Sequence, residues 1–389
     1  MTVPRKPDIS KASSRVVKPE AIQFLSSTGV YGPAVIVPII LAGELGASEA
    51  MIGIIAGLFA TAGFLSSYIF GRASDVYGRR LILLAGLGLT VAATIAQGLS
   101  IMVGGLGVFA AVRVLIGFAS GMFPAALLAY AYDAKSKMGK FSSWSAAGWG
   151  VGNLTVGLFG VMYEAAYFYC AAVMMASFVV ALTLRFGKEV RMDVPLFPVA
   201  LIKRNAPVYS AMLIRHTGAS MIWVTYPLFL QSIGADVFWV GVIYAVNSLG
   251  QFVIMNVLDR YDPALLVAVG LGSSALTFFT FLLAGNYWQI IPSQILLAAS
   301  WACLYVGSLR YVMDRNKEKA TVSGILSSVL NISGIIGPVL GGFAALAIGF
   351  KGTIGIASVM AAVAFFIFLY ELRSSGEFYR LGRLTRRRA

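Results

Sequence analysis

The chain has 389 residues, 59% of them hydrophobic and 12% charged, with a mean hydropathy of +0.83 and a formal net charge of +14. Ordinary soluble domains carry about 25% charged residues, so this composition excludes a soluble globular protein and leaves no room for a large extramembrane domain. A spanning helix needs roughly 20 apolar residues, and a chain of this length holds about twelve of them joined by short loops.

In chain order, residues 1–19 are polar and carry Arg5, Lys6, Lys11, Arg15 and Lys18. No short apolar core with a small-residue cleavage site follows, so they are expected to form a cytoplasmic tail rather than a cleaved signal. Six apolar runs fill residues 20–186: Glu20 to Gly43, Met51 to Phe70, Arg80 to Ser100, Gly104 to Tyr130, Lys140 to Tyr163 and Ala165 to Phe186. Gly32-Pro33 and Pro38 fall inside the first. Proline in a membrane helix frees backbone carbonyls, which is tolerated where the helix faces protein or a watery cavity, so this span is expected to bend along a substrate path. Residues 187–206, with Lys188, Arg191, Lys203 and Arg204, read as a cytoplasmic link. Six further runs fill residues 207–372: Pro207 to Gln231, Val237 to Leu258, Pro263 to Ala284, Tyr287 to Tyr311, Thr321 to Phe350 and Thr353 to Leu372. Residues 373–389 form a basic tail ending in Arg386, Arg387 and Arg388. The expected fold is all-α, with twelve transmembrane helices in two pseudo-symmetric six-helix halves.

Charge fixes the expected orientation. With the N-terminus inside, the inner segments collect Arg72, Arg79, Arg80, Lys135, Lys137, Lys140, the link, Arg260, Arg315, Lys317, Lys319 and both basic tails. The outer loops hold Glu44, Glu49, Glu164 and Asp236, with Lys351 as their sole cation. This asymmetry follows the positive-inside rule and places both termini in the cytoplasm. It also accounts for the net charge without nucleic-acid binding.

Between the second and third runs lies Gly71-Arg72-Ala73-Ser74-Asp75-Val76-Tyr77-Gly78-Arg79-Arg80, the only dense polar punctuation in this part of the chain. Gly71 and Gly78 are expected to end two helices with positive φ. Asp75 offers an anion to a helix N-terminus or an arginine, and Arg79 and Arg80 suit an anionic inner surface. A weaker echo, Asn256 to Asp262, stands between the second and third runs of the other half. A second repeat pairs Gly139, Gly148, Gly152, Asn153 and Gly157 with Gly324, Ser333, Gly337, Pro338 and Gly342 at a constant offset of 185 positions. Gly337, Pro338, Gly341 and Gly342 place small residues where another backbone can approach.

The 71–80 stretch resembles the inner-loop signature of the major facilitator superfamily, and the resemblance extends over essentially the whole chain. It implies a gating role for Gly71, Asp75, Gly78, Arg79 and Arg80. Arg113 with Gly117 and Gly121 is similar to the family's arginine-plus-glycine motif, which the resemblance ties to proton transfer in proton-coupled exporters. The glycines of the fifth run are similar to those of drug/proton antiporters, with departures: Asn153 stands where that pattern has proline, and Val156 replaces the first glycine of its closing pair.

Ionisable residues within membrane spans are costly and are candidates for function. No acid falls near a span midpoint; Arg113 in the fourth run and Arg215 with His216 in the seventh are the embedded ionisables. The expected cavity is therefore cationic. Two readings remain open. One is a proton-driven exporter of small, largely hydrophobic compounds, with walls from Tyr31, Trp223, Tyr226, Tyr244, Trp301 and Tyr305 and with His216, the only histidine, as a titrating group. The other is a carrier of carboxylates or phosphate esters gripped by Arg113 and Arg215.

A receptor or scaffold on a transporter fold ranks below both, for want of a sensory domain. An enzyme or ATP-driven pump is not expected, because Gly-x-x-x-x-Gly-Lys-Ser/Thr, His-Glu-x-x-His and paired membrane carboxylates are all missing. Cys170 and Cys303 sit in apolar runs and read as small core residues. The expected partners are a small-molecule substrate, protons and the lipid bilayer of a prokaryotic inner membrane. No cofactor, metal or nucleic acid is expected, and the chain is expected to act as a monomer.

Overall fold

The structure is a computed structural model that describes residues 18–134, 136, 138–186, 199–316 and 319–374. Among these, the secondary structure is helical throughout, in fifteen α-helices with short 3₁₀ and π segments. The first stretch comprises α1 (Lys18–Tyr31), a 3₁₀ turn (Gly32–Val35), α2 (Val37–Ile39) and a π turn (Ile40–Glu44). Next come α3 (Glu49–Tyr77), α4 (Arg79–Val103), α5 (Leu106–Met122), α6 (Pro124–Asp133), α7 (Met138–Leu158) and α8 (Tyr163–Leu182). The second part comprises α9 (Val199–Arg204), α10 (Ala206–Trp223), α11 (Tyr226–Ser232), α12 (Val237–Met255), α13 (Pro263–Leu283), α14 (Ile290–Arg315) and α15 (Lys319–Ser374).

Nine helical stretches among the described residues are long and apolar enough to cross a membrane. The last, Ile325–Arg373, holds two expected spans, because Gly349 inside α15 takes φ 74° and breaks the helix there. The α7 and α10 helices fall outside the nine. They carry Ser143, Ser145, Asn153, Arg215 and Ser220 among small residues, a composition that suits packing against other helices rather than lipid.

Several expected boundaries shift. The 71–80 stretch is not a loop: α3 runs unbroken to Tyr77, and only Gly78, at φ 109°, leaves helical geometry before α4 begins. Gly71 therefore does not end a helix; one left-handed residue suffices for the turn. The side chains of Arg72 and Asp75 lie outside the described residues, as do residues 1–17, Lys135, Lys137, 187–198, Lys317, Glu318 and 375–389. The fourth run is split where Pro124 starts α6, since proline has no N–H to continue the preceding ladder. The fifth run ends at Leu158, with a turn through Gly160 at φ 59°.

The 185-residue repeat has a spatial counterpart. In α7, added methyl groups at Gly148 and Gly152 would meet the carbonyls of Phe24 and Thr28, and one at Gly157 would meet Gly241 of α12. In α15, Gly337 and Gly341 lie equally close to Thr217, Ser220 and Met221 of α10, and Gly342 to Gly53 of α3. A Cβ at Gly241 would clash with the carbonyl of Asn153, and one at Gly53 with that of Pro338. Thus α7 crosses α12 as α15 crosses α3. The capping matches as well: Ser48 accepts from Met51 N at the start of α3, and Asp236 from Trp239 N at the start of α12.

Apolar packing divides the bundle unevenly between its ends. At the end carrying Glu44, Glu164 and Asp236, one continuous cluster joins both parts of the chain, through Ile36, Ile40, Ile55, Phe229, Val240 and Phe281. Toward the cationic end, marked by Lys18, Arg79, Arg80 and Arg315, the packing separates. One cluster there holds Ile22, Leu87, Leu127 and Met174 of the first part. The other holds Met212, Leu271, Leu304 and Phe368 of the second.

Candidate substrate cavity

The site starts from two interrupted helices. Pro33 and Pro38 bring no N–H to the first stretch, which tightens to 3₁₀ geometry and then widens to a π turn where Leu45 N donates to Ile40 O at 3.0 Å. The corresponding interruption follows Trp223: Val224 and Thr225 leave the helix, and Pro227 opens α11. The bend expected along the first span is thus a change of helix type, and it has a partner in the other half that the sequence reading passed over.

A cavity of ≈ 360 Å³ opens where the two cationic-end clusters part. Its walls are Gln23, Ser26, Ser27, Val30 and Tyr31 of α1; Phe59, Gly63, Phe64 and Ser67 of α3; Ser120 and Pro124 of the fourth span; and Leu330, Asn331 and Gly334 of α15. None of its lining residues is charged. Beyond Phe59 lies a second cavity of ≈ 130 Å³, lined by Ala34, Val37, Pro38, Leu41, Ile52, Ile55, Ala56, Phe59, Arg113, Trp223 and Val224. Here both interrupted helices meet. Phe59 belongs to both cavities.

Glycines put Arg113 there. Gly117 and Gly121 bring α5 against the carbonyls of Phe59 and Gly63, and that close approach lays the Arg113 guanidinium over the Phe59 ring, 4.3 Å from its centroid. Arg113 is 9% exposed and makes no hydrogen bond or ion pair among the described residues.

Arg215 is held differently. Its Nε donates to Ser274 Oγ at 2.8 Å, Ser274 and Ser300 lie within 2.6 Å, and the guanidinium packs 5.4 Å from Phe278 and 5.2 Å from Trp301. The two arginines are not brought together: they share no described contact residue, and Arg215 lines neither cavity, its guanidinium lying among Ser274, Phe278 and Trp301 of α13 and α14. His216 stacks on Trp301 at 5.0 Å with Nδ1 buried and unpartnered, and Trp301 stacks on Tyr305 at 5.7 Å.

The aromatic candidates divide likewise. Tyr31 lines the larger cavity and stacks on Trp149 at 4.9 Å, and Trp223 lines the smaller. Tyr226 is buried, accepting from Gln294 Nε2 at 2.5 Å and stacking on Phe281; Tyr244 packs 5.7 Å from it. Neither Tyr226, Tyr244, Trp301 nor Tyr305 lines either cavity. The sequence reading missed Phe59, Phe64, Gln23 and Asn331, because an apolar ring or a lone amide in an apolar run carries no motif. Gly117 and Gly121, about one and two turns after Phe59's partner Arg113, were the available signal. No group of metal-ligating side chains occurs among the described residues.

Residues 21–202 and 208–380 match the family model described as Major Facilitator Superfamily. The quinolone resistance protein NorA of Staphylococcus aureus is 24% identical over 157 residues, 38% of this chain and 40% of that protein. The chain thus matches about two fifths of NorA's length. The tetracycline resistance protein, class B, of Escherichia coli is 24% identical over 325 residues, covering 74% of this chain and 77% of that protein. Among solved structures, the nucleoside transporter NupG superimposes with a TM-score of 0.78 at 14% identity, over 91% of this chain and 99% of NupG. A structure described for substrate recognition in proton dependent oligopeptide transporters gives 0.74 at 14% identity, over 93% of this chain and 98% of that one. At these identities the structural likeness concerns the fold.

Proposed function

Because the chain belongs to the major facilitator superfamily and is a membrane transporter rather than an enzyme, we propose that it exports small, largely hydrophobic organic compounds by alternating access, coupled to protons. The observation that carries this reading is the ≈ 360 Å³ cavity, set where the two cationic-end clusters part and walled by aromatic rings and uncharged polar groups. The positive-inside rule makes the cationic end cytoplasmic, so in this reading substrate enters from the cell interior. Two relatives named for drug resistance support the exporter reading, whereas the nucleoside and oligopeptide neighbours widen the range of substrates to be tried. The twelve-span arrangement in two halves, a monomer in a bacterial inner membrane, is part of the same proposal.

In this reading α7 with α12, and α15 with α3, are the crossings on which the halves rock. The Gly78 turn joins α3 to α4 at the mouth that must close. Asp75, Arg79 and Arg80 are assigned to that closure. Asp75→Asn is expected to lower flux at matched expression, and equal flux would remove the assignment.

The test of function is flux in proteoliposomes under an imposed pH gradient, scanning lipophilic cations, neutral aromatics, organic carboxylates and phosphate esters while internal pH is followed. Movement of aromatic compounds against protons supports the proposal. Movement that leaves internal pH unchanged overturns proton coupling, and accumulation in the opposite direction overturns export.

A further inference from the structure

We propose that the two cavities form one bipartite site: a flat aromatic body lies in the larger cavity against Phe59, and a carboxylate head reaches past that ring into the smaller cavity onto Arg113. The inference rests on the transporter reading above and names its substrate class.

Arg113 is the first ground. It lines the smaller cavity, is nine-tenths buried, lies over the Phe59 ring within electrostatic reach of the Tyr167 hydroxyl, and has no carboxylate or hydrogen-bond acceptor bonded to it among the described residues. A guanidinium has five donors in a planar fork, and a buried charge without a partner is costly. A carboxylate satisfies the fork with two parallel hydrogen bonds. The remaining wall residues, from Ala34 to Val224, are apolar apart from the Trp223 indole. They would leave the additional oxygens of a phosphate unpaired, so the head is a carboxylate.

Location is the second ground. The smaller cavity is enclosed by Pro38 and its neighbours from one interrupted helix and by Trp223 and Val224 from the other. Paired interruptions in the two halves of a transporter are where substrate groups are held. The third ground is charge. No acid lines either cavity, so a cationic head would meet a guanidinium and no counter-charge. Arg215 takes no part, since it lines neither cavity.

The site is tested by equilibrium titration of the full-length protein in lipid nanodiscs with three probes of one shape: 2-naphthoate, 2-naphthamide and 2-naphthylmethylammonium. Trp223 in the smaller cavity provides a fluorescence readout, and calorimetry an independent one. The carboxylate is expected to bind tightest. Arg113→Lys keeps the charge but loses the fork, and is expected to weaken it about tenfold while leaving the amide within about twofold. Ala56→Leu fills the smaller cavity without touching the charge and is expected to give the same pattern; it decides the matter if the arginine variant does not fold. Carboxylate affinity unchanged in the variants, tightest binding by the ammonium probe, or binding of none of the three overturns the proposal. Failure of the transporter reading shows separately, as naphthoate that binds in nanodiscs but is not moved in proteoliposomes.

Discussion

Arg113 and Arg215 show how little a residue type in a membrane span says by itself. Both are buried guanidiniums in apolar runs, yet one is bonded to a serine pair and packed against two rings while the other lines a cavity with the Phe59 ring beneath it. Asn153 carries a different message. It is fully buried with both amide atoms unpartnered, and an unsatisfied buried polar group costs about 1–3 kcal/mol. Asn153→Leu is therefore expected to raise the melting temperature in detergent, by a gain of about 1–3 kcal/mol. A fall instead would mean that the amide finds a partner in solution. The sequence reading identified Asn153 as a departure from a proline pattern; what the position presents to Gly241 is its backbone carbonyl, as Pro338 presents its own to Gly53.

At the scale of helices, function sits where regular structure stops. Pro33 and Pro38 lie at the starts of short segments that wall the smaller cavity, and Pro227 opens the segment that follows its wall residues Trp223 and Val224; missing N–H groups are the cause. Crossings are the opposite case, where regular helices need absence of side chain. At the α7–α12 crossing, Gly157 and Gly241 are in backbone contact, so Gly241→Val is expected to push the helices apart. The cost is about 1–3 kcal/mol of stability with flux lost alongside, read by thermal unfolding and proteoliposome transport. Unchanged flux and stability would mean that this crossing tolerates a wider spacing. The polar 71–80 stretch belongs here too: its composition suggested a loop, but only Gly78 departs from helix, because Ala73 to Tyr77 offer nothing that stops one.

For the whole molecule, one apolar cluster ties both parts of the chain at the acidic end, and two separate clusters leave a cavity at the other. A thiol placed in that cavity should thus be reachable from one side only. Asn331→Cys is expected to react with a membrane-impermeant maleimide in inside-out vesicles and not in intact cells. Labelling only from outside would reverse the assigned orientation. The native Cys170 and Cys303 are buried, so they contribute little background.

What the sequence determined by itself is what depends on local composition and count. Apolar run length marked membrane helices, the repeat of small residues marked the crossings, and the 71–80 stretch with Arg113 and its glycines pointed to the family that the whole-chain match establishes. Span ends were less legible: Tyr77, Leu158 and the α5–α6 break at Pro124 depend on which neighbour satisfies or interrupts the backbone. Only the tertiary structure decided which embedded side chains face a cavity. A helix presents its residues around a full turn, and burial in a bundle hides partner choice from any single run. Hence Tyr31 and Trp223 line cavities, Tyr226, Tyr244, Trp301 and Tyr305 do not, and Phe59, which no motif singles out, became the wall between two chambers because Gly117 allowed α5 to come close enough to set Arg113 upon it.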